Sequence, residues 1–189
     1  PYTVYGSALQ DKTVTWSTSD PTVMQVSSGY LYGVSEGTAT ISAQVSGYSS
    51  YSDKMTVTVK RNTADVITAS MDAGAALSFS SLVSQINAQS QSVLGQPLLY
   101  VSGLTVSTDQ GTLYYRYASS GDTGDGVGSG QSYYVSPGSG QLSLSELSFV
   151  PKSDFSGTAV ISYTGYASGS AFFQGTIQVR VAAQQDVSY

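Results

Sequence analysis

Short runs in which every second residue is apolar recur along most of this chain, and each run ends at a turn signal. Val14 and Trp16 alternate with Thr13, Thr15 and Ser17. Ala39, Ile41, Ala43 and Val45 alternate with Thr40, Ser42 and Gln44, and Met55, Val57 and Val59 alternate with Thr56 and Thr58. A period of two sends successive side chains to opposite faces, so each run is a half-buried strand. Between the runs stand Ser19-Asp20-Pro21, Ser28-Gly29 and Glu36-Gly37. In the first of these, Asp accepts local backbone bonds and Pro fixes φ. The polar stretch from Ser46 to Ser52 reads as a loop. Strands at this spacing predict a sandwich or a barrel.

The alternation stops at Lys60-Arg61-Asn62-Thr63 and starts again a few residues later, which predicts a domain boundary between modules 1–60 and 64–182. One helix is expected in the second module. Leu82, Val83, Ile86 and Leu94 follow a period near 3.6, Ser80 or Ser81 can cap the first turn, and Gly95-Gln96-Pro97 ends it. Further strands follow around Leu99 and Val101, Leu113 to Tyr117, Tyr133 to Val135, Leu147 to Phe149, Ala159 to Thr164 and Phe173 to Val181. Residues 119–131 are rich in Gly, Ser and Asp and read as a mobile loop. The expected fold class is therefore all-β, with two tandem β-sandwich modules and one short helix in the second.

Composition narrows the chemistry. There is no Cys and no His among 189 residues. Disulfides, thiolate metal sites, His-based triads and His-bearing zinc sites are excluded. Only 10% of residues are charged, against about 25% in an average soluble chain. The seven basic residues form no cluster and the net charge is −5, so nucleic acid finds no electrostatic footprint. No apolar run approaches the roughly 20 residues of a membrane span. The opening Pro1-Tyr2-Thr3 falls inside a strand-like pattern, which reads as a fragment of a longer protein.

Two resemblances follow from these runs. Val14-Thr15-Trp16-Ser17-Thr18-Ser19-Asp20-Pro21-Thr22-Val23 resembles the opening motif of bacterial Ig-like group 2 (BIG2) domains. Gly37-Thr38-Ala39-Thr40-Ile41-Ser42-Ala43 and Val57-Thr58-Val59 match further along, so the likeness covers most of residues 1–60. A BIG2 domain normally has a strand before the segment that Tyr2-Thr3-Val4-Tyr5 resembles, and here that strand is missing or cut off, which implies an exposed sheet edge. The second module resembles a surface repeat of Gram-positive bacteria found beside S-layer-homology domains. The matching pieces include Gly111-Thr112-Leu113-Tyr114-Tyr115, Phe149-Val150-Pro151, Phe155-Ser156-Gly157-Thr158 and Gly175-Thr176-Ile177. Residues 149–164 are also similar to cadherin-like repeats. These resemblances imply immunoglobulin-like modules on an extracellular bacterial cell surface or cell wall, acting as a structural spacer or adhesion stalk without catalysis.

Three sets of residues are candidates for more. Fifteen tyrosines are the most unusual feature of the composition. Tyr114, Tyr133 and Tyr134 are the candidate ligand contacts, because a Tyr ring offers a flat apolar face and a hydrogen-bonding tip to a cell-wall or host glycan or a host surface protein. The competing reading of the same residues is an aromatic ladder that only stabilises the sheet. Alternation sends Tyr115 and Tyr117 to one face and Tyr114 to the other. Asp122 and Asp125 in Gly121-Asp122-Thr123-Gly124-Asp125-Gly126 are the candidate metal ligands, for Ca²⁺, although EF-hand spacing is absent and a plain turn explains them as well. Glu36 and Glu146, the two glutamates, fall in different modules, so a glycosidase pair is not expected. No cofactor and no catalytic residue is assigned. The function expected is a spacer or adhesion module, with a carbohydrate- or host-protein-binding module as the alternative.

Overall fold

The structure is a computed structural model that describes residues 12–183. It is built mostly from strands, with one α-helix, and it divides into two compact units at Arg61/Asn62. The segment Tyr2 to Tyr5 lies outside the described residues.

In the first unit, β1 (Val14–Thr18), β4 (Gly37–Val45) and β5 (Tyr48–Val59) form an antiparallel sheet in the order β1-β4-β5. The strands β2 (Met24–Ser27) and β3 (Tyr30–Gly33) form a separate hairpin. Its two turn residues, Ser28 and Gly29, have φ of 50° and 79°, the paired positive values that match the right-handed twist of a hairpin. Asp20 organises the loop after β1. Its carboxylate accepts from the Thr22 N–H at 2.9 Å and the Thr22 hydroxyl at 2.6 Å, and these bonds hold its pKa below the ordinary carboxylate range.

Val23, Met24, Ala39 and Ile41 form the small core of this unit, with Trp16, Val57 and Val59 packed against it. The stretch 48–52, expected as a loop, is the first half of β5. Its residues are exposed on both faces, so it carries no apolar alternation, and only its pairing with β4 after the turn at Gly47 makes it a strand. Among the described residues β1 and β5 each have one strand neighbour.

The second unit has two sheets. The larger has six strands in the order β12-β11-β8-β14-β15-β6. They are β6 (Ile67–Met71), β8 (Tyr100–Val106), β11 (Ser132–Tyr134), β12 (Leu142–Ser143), β14 (Gly157–Tyr166) and β15 (Phe172–Val181). The smaller has four, β7 (Leu77–Ser78), β9 (Gly111–Tyr115), β10 (Asp125–Gly126) and β13 (Leu147–Pro151), in the order β10-β9-β13-β7. Inward residues of both sheets share one apolar cluster. Val101, Ile161, Phe173 and Ile177 come from the larger sheet, and Leu113, Leu147 and Phe149 from the smaller.

The helix α1 (Val83–Leu94) adds Ile86 to that cluster, and Leu82 just before it does the same. It stops where Gly95 turns left-handed at φ 67° and donates its N–H to the Gln91 carbonyl, an ending that only Gly adopts at no cost. The hydroxyl cap differs from expectation. Ser78, not Ser80 or Ser81, accepts from a backbone N–H, and it caps a 3-10 turn at Phe79–Ser81 that leads into α1. Residues 119–131 also depart from the loop expected there, since Asp125 and Gly126 pair with Tyr115 and Tyr114 as β10.

Candidate functional site

The outer face of the six-stranded sheet carries a row of aromatic rings set by strand register. Tyr134 pairs with Tyr100, Tyr100 with Tyr166, and Tyr166 with Phe172. Tyr100 and Tyr166 stack at 4.7 Å between ring centroids and 14° between planes. Tyr134 lies 5.0 Å from Tyr100, and Phe172 lies 6.2 Å from Tyr166. Adjacent strands are about 4.8 Å apart, so rings at paired positions on one face meet in this way. Burial, and then the neighbouring Tyr166 and Tyr134, raise the pKa of Tyr100, so its own phenol stays uncharged.

Two positions along each strand, the same face presents Ser132, Ser102, Thr164 and Gln174, again in register. A strip of rings thus runs beside a strip of hydroxyl and amide groups.

One end of the aromatic row borders a groove of about 700 Å³. Tyr100 and Tyr134 line it, with Leu99 and Val135 beside them and Val83, Ser84 and Asn87 of α1 across from them. The Asn87 side-chain oxygen accepts from the Leu98 N–H at 2.9 Å, which fixes the plane of the amide.

The sequence-derived candidates land in different places. Tyr134 is half-buried in the aromatic row. Tyr133 is fully buried, so its ring is not available to a ligand. It packs 5.9 Å from the Tyr115 ring, its hydroxyl donates to Gln131 Oε1 at 2.7 Å, and burial raises its pKa. Tyr133 and Tyr134 are consecutive, so alternation puts them on opposite faces, and the inward position fell to Tyr133.

Tyr114 is on the other sheet, half-buried and stacked on Tyr117 at 5.7 Å. Tyr117 was expected to share the face of Tyr115. The alternation breaks at Arg116, whose φ is 60°, a left-handed conformation uncommon for a residue with a Cβ. That residue brings the Tyr117 ring onto Tyr114 instead.

Arg116 sits in a small polar cluster. The Tyr115 hydroxyl donates to the Glu146 carboxylate, the Arg116 Nε lies 3.1 Å from the same oxygen, and the Arg116 N–H donates to the Glu146 carbonyl at 2.8 Å. The bond from Tyr115 first, and Arg116 second, hold the Glu146 carboxyl below the ordinary carboxylate range. A carboxylate with a depressed pKa stabilises the fold above its unfolded pKa, and the contribution is lost as pH falls through the folded value. Thermal midpoints measured from neutral to acid pH are therefore expected to fall more steeply for the native chain than for Glu146→Gln, the two curves converging at low pH. Parallel curves would show that the cluster contributes nothing.

Asp122 and Asp125 are both exposed. The backbone of Asp122 closes a turn with Ser119, and Asp125 pairs with Tyr115 in β10. No group of three His, Cys, Asp or Glu residues that could hold a metal ion occurs among the described residues. The two glutamates sit in separate units, Glu36 with Arg61 at 3.2 Å and Glu146 with Arg116. Among the described residues no helix is long and apolar enough to cross a membrane.

The groove and three of the four rings in the row, Tyr100, Tyr166 and Phe172, are not legible in the sequence as a site. Their side chains come from three strands whose order in the sheet has no local signature. Compared with known proteins, the chain matches no family model and no curated protein.

Proposed function

We propose that this chain is a non-catalytic, tension-bearing spacer of an extracellular bacterial surface protein, built from a BIG2-like module over residues 1–60 and a cadherin-like or S-layer-associated immunoglobulin-like module over residues 64–182. The observation that carries the reading is the parallel pairing of the first and last strands of the second unit. Ile67 pairs with Ile177 and Met71 with Val181, and a further parallel bridge joins Thr63 to Gln174.

Force entering at Asn62 and leaving beyond Val181 pulls β6 and β15 in opposite directions along their own axes. The hydrogen bonds between parallel strands then share the load and must fail together. In an antiparallel hairpin pulled from its open end they fail one at a time. A spacer that transmits tension needs the first arrangement across its two ends. The weakly charged, Ser-, Thr- and Tyr-rich composition supports an extracellular location.

Single-molecule pulling tests the reading. With handles at Asn62 and Ala183 the second unit is expected to unfold at a peak force about twofold or more above that seen with handles at Ser156 and Ala183, which unzip β14 from β15, because forced unfolding follows the barrier in the loaded direction and not equilibrium stability. Ala69→Pro, in the middle of β6, should remove most of the difference. Equal peak forces in the two geometries would overturn the tension-bearing role.

A further inference from the structure

We propose that the groove between α1 and the Tyr134 end of the aromatic row is a binding site for a neutral oligosaccharide, a role separate from the bearing of tension. The chemistry of the walls selects the ligand. A pyranose presents an apolar C–H face and a rim of hydroxyls, each both donor and acceptor. Tyr134, the end ring of the row, offers aromatic surface for the first, and Tyr100 lines the groove beside it. Ser84, Ser136 and Asn87 offer hydrogen bonds of both kinds for the second.

Asn87 is already oriented. Its oxygen is committed to the Leu98 N–H, and its amide nitrogen makes no hydrogen bond among the described residues, so two donors are held in place for a ligand. A volume of about 700 Å³ lies in the range of roughly 300–1,000 Å³ typical of small-ligand sites.

The lining contains no charged residue, and neither do the aromatic and hydroxyl rows that continue from it across the sheet. An anionic polymer would find no cation there. A purely aliphatic ligand would leave the Asn87 donors and the serine hydroxyls unpaired, which is costly. Beyond the groove, Ser102 and Thr164 lie beside Tyr100 and Tyr166, so an elongated glycan has matching chemistry to follow along the face.

The test is titration of the ¹⁵N-labelled chain with neutral hexasaccharides (β-1,4-glucan, β-1,4-xylan, β-1,4-mannan, α-1,4-glucan and β-1,4-N-acetylglucosamine) and with hyaluronan as the anionic comparison. At least one neutral hexasaccharide is expected to shift the Asn87 side-chain amide and the backbone amide resonances of the groove saturably, the latter serving for all variants. Asn87→Asp keeps the oxygen that Leu98 uses and removes the donors, and it should weaken that binding about tenfold or more with the fold intact. Tyr134→Ala should do the same, while Tyr114→Ala, on the other sheet, leaves binding unchanged. Absence of any saturable shift with all five neutral sugars overturns the proposal. So does binding of hyaluronan alone, or neutral-sugar binding that survives both Asn87→Asp and Tyr134→Ala. None of these results bears on the pulling experiment.

Discussion

Gly165→Val and Gly175→Val are each expected to destabilise the second unit by about 3 kcal/mol or more, the upper end of overpacking costs in a core. Both glycines face inward on neighbouring strands, and each lies opposite an aromatic residue. Gly165 pairs with Phe173, and Gly175 pairs with Tyr163. A Cβ at either position would come closer than 3.0 Å to the facing ring. Neither ring can withdraw. Phe173 is wholly buried and Tyr163 nearly so, they meet edge to face at 6.4 Å, and the Tyr163 hydroxyl donates to the buried Gln89 of α1. Burial raises the Tyr163 pKa, in keeping with a phenol sealed in this layer. The two glycines are therefore spaces that the two rings fill, and their φ values play no part. Gly126→Ala, where a Cβ meets nothing within 4 Å, should change stability by less than about 0.5 kcal/mol. Denaturant unfolding measures all three. A Gly165→Val chain as stable as the native one would show that the core yields at this point. Partial recovery in Gly165→Ala combined with Phe173→Leu would locate the clash on that ring.

These glycines mark where sequence reading stops. The strands that bury one face and wet the other announced themselves: β1, β4, β14 and β15 alternate in sequence as they do in the sheet. The helix was equally plain, since Leu82, Val83, Ile86 and Leu94 fall on one face at a period near 3.6 and Gly95 ends it. What failed to show were features set by the partner strand. The polar first half of β5 alternates nothing and is a strand only because β4 pairs with it. The two-residue strands β7, β10 and β12 are too short to have a period. Strict alternation puts Tyr117 on the wrong face because one left-handed residue, Arg116, resets it, and nothing in the local sequence marks an arginine for that role. The aromatic row needs Tyr100, Tyr134, Tyr166 and Phe172 in one register across four strands, and the groove needs α1 beside two of them. Only the topology brings these together.

The neighbouring residues Tyr133 and Tyr134, indistinguishable in the sequence, are expected to separate sharply on substitution. Tyr133→Ala removes a wholly buried ring from contact with Tyr115 and leaves a cavity between the two sheets. Large aromatic-to-alanine changes in cores cost about 3–5 kcal/mol, and that is the loss expected here. Tyr133→Phe keeps the ring. It deletes the hydroxyl's bond to Gln131 Oε1, which still accepts from the Gly128 N–H at 2.8 Å, so the cost should be about 1 kcal/mol. Tyr134→Ala loses one side of a tilted ring contact on the outer face, worth about 1 kcal/mol, and leaves the core untouched. Urea unfolding of the three variants therefore orders them with Tyr133→Ala far below the other two. If Tyr133→Ala were lost by no more than Tyr134→Ala, the assignment of Tyr133 to the core would be wrong and it would return to the surface as a candidate ligand contact. If the expected order holds, Tyr134→Ala is a folded variant, and any loss of sugar binding it shows is a loss of the site and not of the sheet that carries it.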